Sequence, residues 1–249
     1  MLLEELKEKK ANKEKSLAVL VDPDKASKSH LESLVSYANE GLIDYFFVGG
    51  SLLTTQNLDG VVKFLKKTVN VPVVLFPGST MQIHPLADSI LLLSLISGRN
   101  PDLLIGKHVE AAPILKNSNL EVISTGYMII DGGKATSASY MSNTQPIPID
   151  KPEIAVCTAI AGEMLGMKTI YLEAGSGALN SVPQEVVKQI KENVSLPLIV
   201  GGGIRDKETA AVISKAGADV IVIGTKVEMQ PRIIKEIAMA IKPSKTFSA

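Results

Sequence analysis

Cysteine occurs once in the 249 residues, at Cys157, and tryptophan does not occur at all. A single thiol excludes an internal disulfide framework and any metal site built on several cysteines. Aromatic residues make up only 4% of the chain, which argues against a surface for stacking bases. Basic and acidic residues balance at 26 each, so the chain has no net formal charge and no polyelectrolyte footprint. Nucleic acid is therefore not an expected partner. The three histidines, His30, His84 and His108, lack short zinc-type spacing. The longest apolar run, near Ile90–Ile96, falls far below the ~20 residues of a membrane span. The N-terminal stretch MLLEELKEKKANKEK is charged and helical in type, without the apolar core of a signal peptide. These absences predict a soluble, cytoplasmic protein and leave peripheral membrane contact open.

What is present is a repeated unit: a short apolar run, a turn, then a helical pattern. Eight such runs occur, at Ser16–Asp22, Asp44–Gly50, Val71–Gly78, Ala87–Ser97, Leu120–Ile130, Lys168–Gly175, Leu196–Gly203 and Ala218–Thr225. They are apolar on both faces, as strands of a buried parallel sheet must be. Strand–helix alternation favours parallel strands with crossovers. Eight units in about 250 residues predict an α/β fold, a single (β/α)₈ TIM barrel over residues 1–249, with an N-terminal helical extension over about residues 1–14. An open doubly wound sheet is the rival. Residues 131–151, rich in Gly, Ser, Asn and Pro, read as a long loop: either a lid or an ordered surface excursion.

The strongest local signal is the run from Leu196 to Thr225. One strand ends in Gly201-Gly202-Gly203, and the next ends in Gly224-Thr225. Upstream, TIYLEAGSGA (Thr169–Ala178) ends a strand in Gly175-Ser176-Gly177. Consecutive glycines let backbone N–H groups approach an oxyanion, and a helix starting after each loop would add a partial positive charge. Loops after strands 7 and 8 are common phosphate sites in barrels. Phosphate-binding loops after strands 6, 7 and 8 are therefore expected; tight turns alone are the simpler alternative. Glu173 sits at the C-terminal mouth of strand 6, where it would accept a proton from a substrate hydroxyl or serve as a structural acceptor.

VDPDK (Val21–Lys25) puts Asp22 and Asp24 after strand 1, and VGGS puts Ser51 after strand 2. Hard oxygen donors without nearby His or Cys suit Mg²⁺, although Asp-Pro is also a common turn and cap. His84 and His108 have no partner legible in sequence and read as structural. Lys25, Arg99 and Lys107 could meet a diphosphate, but each reads more simply as solvated charge. Cys157 falls in a helical pattern and reads as a small apolar residue.

Taken with FPGS (Phe76–Ser79) and SLISGRNPDLLIGKHVEAAP (Ser94–Pro113), these motifs resemble the geranylgeranylglyceryl phosphate synthase family, which includes related bacterial heptaprenylglyceryl phosphate synthases. YLEAGSGA is the most diagnostic; GGGIR alone is shared with many phosphate-binding barrels. The resemblance implies an ether-forming transfer of a prenyl group, geranylgeranyl in one branch, from its diphosphate to the 3-hydroxyl of sn-glycerol 1-phosphate. It implies that Asp22 and Ser51 help hold Mg²⁺. It implies that Tyr171, Leu172, Glu173, Ala174, Gly175, Ser176 and Gly177, with Gly202, Gly203, Gly224 and Thr225, cradle glycerol 1-phosphate, and that Glu173 is the base. It further implies a homo-oligomer, a dimer or larger. Some bacterial members carry a Lys where this chain has Leu20, which favours the geranylgeranyl branch. Two alternatives stand beside this reading: a sugar-phosphate isomerase or synthase, and a non-catalytic phospholigand-binding barrel.

Overall fold

In the computed structural model, which describes residues 1–242, eight parallel strands close into a barrel in sequence order, β1 pairing with both β2 and β8. The strands are β1 (Ser16–Val21), β2 (Tyr45–Val48), β3 (Val73–Leu75), β4 (Ser89–Leu95), β5 (Glu121–Ile129), β6 (Thr169–Glu173), β7 (Leu198–Gly201) and β8 (Val220–Ile223). Each lies within one of the eight apolar runs. The open doubly wound sheet is thereby excluded.

The outer ring is built from α2 (Lys28–Asn39), α3 (Leu58–Thr68), α4 (Lys107–Lys116), α6 (Pro152–Met164), α7 (Gln184–Asn193), α8 (Lys207–Ala216) and α10 (Ile233–Ile241). Three shorter elements sit at the C-terminal ends of the strands: a 3₁₀ turn (Thr80–Gln82), a π-helical turn (Asp102–Gly106) running into α4, and α5 (Ser137–Ser142). A five-residue helix, α9 (Thr225–Met229), follows β8.

Side-chain alternation divides the apolar residues into two cores. Leu17 and Val19 face the helices, while Ala18 points into the barrel with Tyr45, Phe47, Val74, Leu91, Ile123, Ile199, Val220 and Val222. Both faces of each strand are buried, so neither shows polar alternation in sequence. Each fully buried aliphatic side chain contributes about 1.5–3 kcal/mol, which commits the strands to this register.

The N-terminal helix α1 (Leu2–Ala11) is part of the barrel rather than an appendage. It inserts Leu2 and Leu6 into the inner core and closes the floor. The first N–H groups of the helix donate to the Glu121 carboxylate, from Leu2 at 2.5 Å and Leu3 at 3.0 Å, so an acidic side chain caps its positive end. Lys9 reaches the Tyr45 hydroxyl at 3.0 Å, and that hydroxyl donates to Glu5 at 2.9 Å. With the floor plugged, the broad cavity of the barrel lies at the C-terminal ends of the strands.

Candidate active site

Glu173 is the last residue of β6, and its register points it inward at the barrel mouth, where it is 6% exposed. One carboxylate oxygen accepts the Gly175 N–H at 2.6 Å. Burial pushes its pKa up to about 7, against the opposing pull of the Gly175 N–H and the nearby Tyr171 hydroxyl. That hydroxyl lies close enough to favour the charged carboxylate, but its geometry falls short of a hydrogen bond. It is buried and finds no partner among the described residues. Phe76 stacks on Tyr171 at 4.9 Å between centroids, and Tyr127 tilts against both at 5.9 and 5.4 Å. A half-neutral carboxyl at pH 7 thus rests on an aromatic floor, the condition of a general base working at neutral pH.

The three glycine loops converge beside it. Gly202 has φ +82°, and a Cβ there would lie 2.3 Å from the Glu173 carboxylate and 2.6 Å from the Gly175 nitrogen. Only glycine lets the β7 loop pass this close to β6. Ser176 and Thr225 share a hydroxyl–hydroxyl hydrogen bond of 3.0 Å, which joins the β6 and β8 loops. The backbone N–H groups of Ser176, Gly177, Gly202 and Gly203 donate to no acceptor among the described residues. Free N–H groups on adjoining loops form an anion-binding concavity.

The structure refines the sequence reading of these loops at two points. Tyr171, Glu173, Ser176, Gly177, Gly202, Gly203, Gly224 and Thr225 line the mouth, a cavity of about 740 Å³. Leu172 and Ala174 do not: their side chains belong to the outer core against the helices, and the Ala174 N–H is taken by the Gly201 carbonyl. Gly175 stands behind the lining, its N–H spent on Glu173. Nor does a helix start directly after each loop. After β6, helix α7 begins only at Gln184, and the N-terminus of α8 is closed by its own cap, Asp206 to the Thr209 N–H at 2.7 Å. Only the β8 loop opens straight into a helix, at Thr225.

Across the mouth, both Asp22 and Ser51 line the cavity. Asp22 lies 3.6 Å from where a Cβ on Gly50 would be. Gln82, a buried residue missed in sequence, fixes this corner. Its carbonyl oxygen accepts the N–H groups of Gly50 and Gly78, each at 3.2 Å, and its amide nitrogen donates to the Gly50 carbonyl at 2.8 Å. Asp24 does not join Asp22 as an ion ligand. Both its oxygens are spent on Thr54 and Thr55 backbone and hydroxyl donors at 2.5–3.1 Å, which hold its pKa down to about 2. Lys25 bridges Asp22 at 3.2 Å and Glu228 of α9 at 3.6 Å, tying this corner to the β8 helix. Among the described residues no three His, Cys, Asp or Glu side chains converge. One carboxylate and one hydroxyl suit Mg²⁺, which takes most of its ligands from water and substrate phosphates.

A second cavity of about 180 Å³ opens off the mouth, sharing Gly50, Ser51, Phe76, Tyr127 and Ala138 with it. Its walls are mostly apolar, with Ile90, Leu92, Leu95, Leu103 and Leu115 between β4 and α4 and Met141 from above, while Ser79, Lys107 and His108 add polar groups. Met141 and Ala138 belong to α5, so the 131–151 segment forms part of the site as an ordered wall. A reciprocal capping box between Thr136 and Ser139 starts α5, and Ile147 pairs in register with Ile130 beyond β5.

The remaining candidates are structural. His84 donates from Nε2 to the Asp59 carboxylate at 3.0 Å and accepts the Leu86 N–H at Nδ1. His108 meets Ser94 at 3.1 Å in the cavity wall, and burial lowers its pKa. Cys157 lies on helix α6, as its pattern predicts, and is exposed.

Known proteins share this arrangement over nearly its whole length. The model of the PcrB family matches residues 9–241. A geranylgeranylglyceryl phosphate synthase of Chitinophaga pinensis is 52% identical over 94% of this chain and 93% of its own. That of the archaeon Thermococcus kodakarensis is 43% identical over 88% and 86%. The crystal structure of the (S)-3-O-geranylgeranylglyceryl phosphate synthase of Thermoplasma acidophilum, in complex with sn-glycerol-1-phosphate, superposes with a TM-score of 0.91 at 31% identity, covering 98% of this chain and 99% of that one. The likeness extends from the floor helix to the last strand, and the chain belongs to the PcrB family, that of the geranylgeranylglyceryl phosphate synthases.

Proposed function

We propose that the protein transfers a geranylgeranyl group from its diphosphate to the 3-hydroxyl of sn-glycerol 1-phosphate, forming an ether and releasing diphosphate. The observation that carries this reading is the placement of Glu173, a carboxyl titrating near neutrality between free backbone donors and an apolar cavity. The names of its relatives and the ligand of the Thermoplasma structure support it.

In this reading the N–H groups of Ser176, Gly177, Gly202 and Gly203 bind the phosphate of glycerol phosphate, with the Lys134 ammonium 3.9 Å from where a Cβ on Gly177 would be. Thr225, at the start of α9, adds the positive end of a helix. Leu20, which borders the mouth, then needs no charge. Anchored at its phosphate, the substrate presents its far hydroxyl to Glu173. The carboxylate accepts that proton as the oxygen forms its bond to C1 of the prenyl chain and the bond from C1 to the diphosphate oxygen breaks. Tyr127 and Phe76 line both cavities, so their rings border C1 as it gains allylic cation character, which aromatic side chains favour. The chain enters the cavity between β4 and α4.

Asp22 and Ser51 would hold Mg²⁺, which when bound offsets charge on the departing diphosphate. A sugar-phosphate isomerase or a binding-only barrel would use the same phosphate loops, but neither has use for the apolar cavity.

The test is to incubate the protein with Mg²⁺, sn-glycerol 1-phosphate and a series of polyprenyl diphosphates, and to identify products by mass. Geranylgeranylglyceryl phosphate is the expected product. Binding of glycerol phosphate without transfer from any chain length would overturn the reading.

A further inference from the structure

The loop that leaves β5 is fastened to the loop that leaves β6. The Gly132 carbonyl accepts the N–H groups of Leu179 at 2.9 Å and Asn180 at 3.0 Å. The Asp131 carboxylate accepts the Gly133 N–H at 2.8 Å and sets the turn that follows. Thr136, buried at the start of α5, packs its side chain on Gly175, 2.4 Å from where a Cβ there would be. Lys134 thus leaves a backbone held to the β6 loop on both sides. Its side chain reaches over Gly177, with Nζ 3.9 Å from where a Cβ on Gly177 would be. Apart from the chain neighbours, no other atom of the described residues comes within 4 Å of that position. The space beside Gly177 is therefore open except for one ammonium, which is exposed and makes no hydrogen bond or ion pair among the described residues.

The charge balance of the mouth calls for such a group. Four carboxylates line it, Asp22, Asp24, Glu173 and Glu228. A phosphate held there by N–H dipoles alone would add its own negative charge to theirs. Of the cations in the lining, Lys25 is held by Asp22 and Glu228, and the Arg205 guanidinium is spent on the carbonyls of Ala178 and Leu179. Lys226 stands on α9, more than 4 Å from the Gly177 position.

We propose that Lys134 binds the phosphate of glycerol phosphate, its ammonium donating to oxygens held by the Ser176 and Gly177 N–H groups. The inference rests on reading the glycine loops as the phosphate site. It makes the loop after β5 a fourth wall of that site and supplies the full positive charge that backbone dipoles lack. The phosphate keeps its charge while the ether forms at the far hydroxyl. The contact is therefore equally strong in the ground and transition states, and its loss must appear in KM for glycerol phosphate rather than in kcat.

The test uses the full chain, calorimetric titration with sn-glycerol 1-phosphate, and steady-state transfer from geranylgeranyl diphosphate. Lys134→Met should raise both Kd and KM for sn-glycerol 1-phosphate about tenfold, the loss of one charged donor to phosphate. Its kcat and its KM for the prenyl diphosphate should stay within about twofold of wild type. Lys134→Arg, which keeps the charge, should recover most of the affinity. Added salt should weaken wild type more than Lys134→Met. Circular dichroism melts check that the exposed substitutions leave the fold intact.

An unchanged Kd in Lys134→Met overturns the proposal and leaves the transfer reading standing. An equal loss of affinity for both substrates also overturns it, since Lys134 would then support the mouth in general. Tight binding of sn-glycerol 1-phosphate by wild type and Lys134→Arg, weak binding by Lys134→Met and transfer from no prenyl diphosphate would uphold the contact and count against the proposed function.

Discussion

Glu173→Gln should abolish most of the activity and make the protein more stable. In the folded chain burial holds the Glu173 carboxyl at about 7, against an ordinary value of 4.5. Its pKa is raised on folding, so the penalty is absent below the unfolded value, grows as pH climbs from 4.5, and levels off above about 7. At about 1.4 kcal/mol for each tenfold change, keeping this carboxylate buried and charged costs about 3 kcal/mol at pH 8 and under about 1 kcal/mol at pH 5. Glutamine removes the charge and keeps the shape. Its carbonyl oxygen can still accept the Gly175 N–H, and its amide can donate to the Tyr171 hydroxyl, which otherwise has no partner. The assay is thermal unfolding of both proteins at pH 5 and pH 8. The advantage of the variant should grow by about 2–3 kcal/mol between them, or about 5–10 °C in Tm for a chain of this size. A variant that is less stable at pH 8, or equally shifted at both pH values, would refute the claim that Glu173 is a strained, desolvated carboxylate.

Gly202→Ala puts a Cβ 2.3 Å from the Glu173 carboxylate at a backbone φ of +82°. It should lower Tm and reduce kcat/KM by about tenfold to a hundredfold, since small misplacements of a base are expensive; near wild-type kinetics would show that the loop has slack. Lys25→Met removes the ammonium 3.2 Å from Asp22. If Asp22 holds Mg²⁺, the Mg²⁺ concentration for half-maximal rate should fall about two- to fivefold, the range of a partly exposed ion pair; a higher requirement would mean that Lys25 supports the metal corner rather than competing for it.

The eight strands were legible because a strand buried on both faces is a continuous apolar run, as in Leu17–Val21 and Ile221–Ile223. The glycines of the phosphate loops were legible because no other residue tolerates the close approach at Gly202. Orientation was less so. Leu172 and Ala174 sit within the diagnostic motif but face the helices, because strand alternation continues through it. The spending of Asp24 on Thr54 and Thr55 was hidden because those partners lie about thirty residues away. Helix α5 lacks apolar periodicity, and its start depends on the Thr136–Ser139 box, so its sequence reads as loop. The cavity between β4 and α4 is a gap between elements, and the same leucines would read identically had it been filled.

The central claim is that Glu173 takes a proton from glycerol phosphate. Its most direct test is kcat/KM for prenyl transfer to sn-glycerol 1-phosphate as a function of pH, in wild type and in Glu173→Gln. The account predicts a wild-type rate that rises through about pH 7 to a plateau, as burial has raised the carboxyl to that range, and a variant with a small residual rate lacking that rise. A wild-type profile flat from pH 5 to 9, or a variant keeping the same inflection, would contradict it.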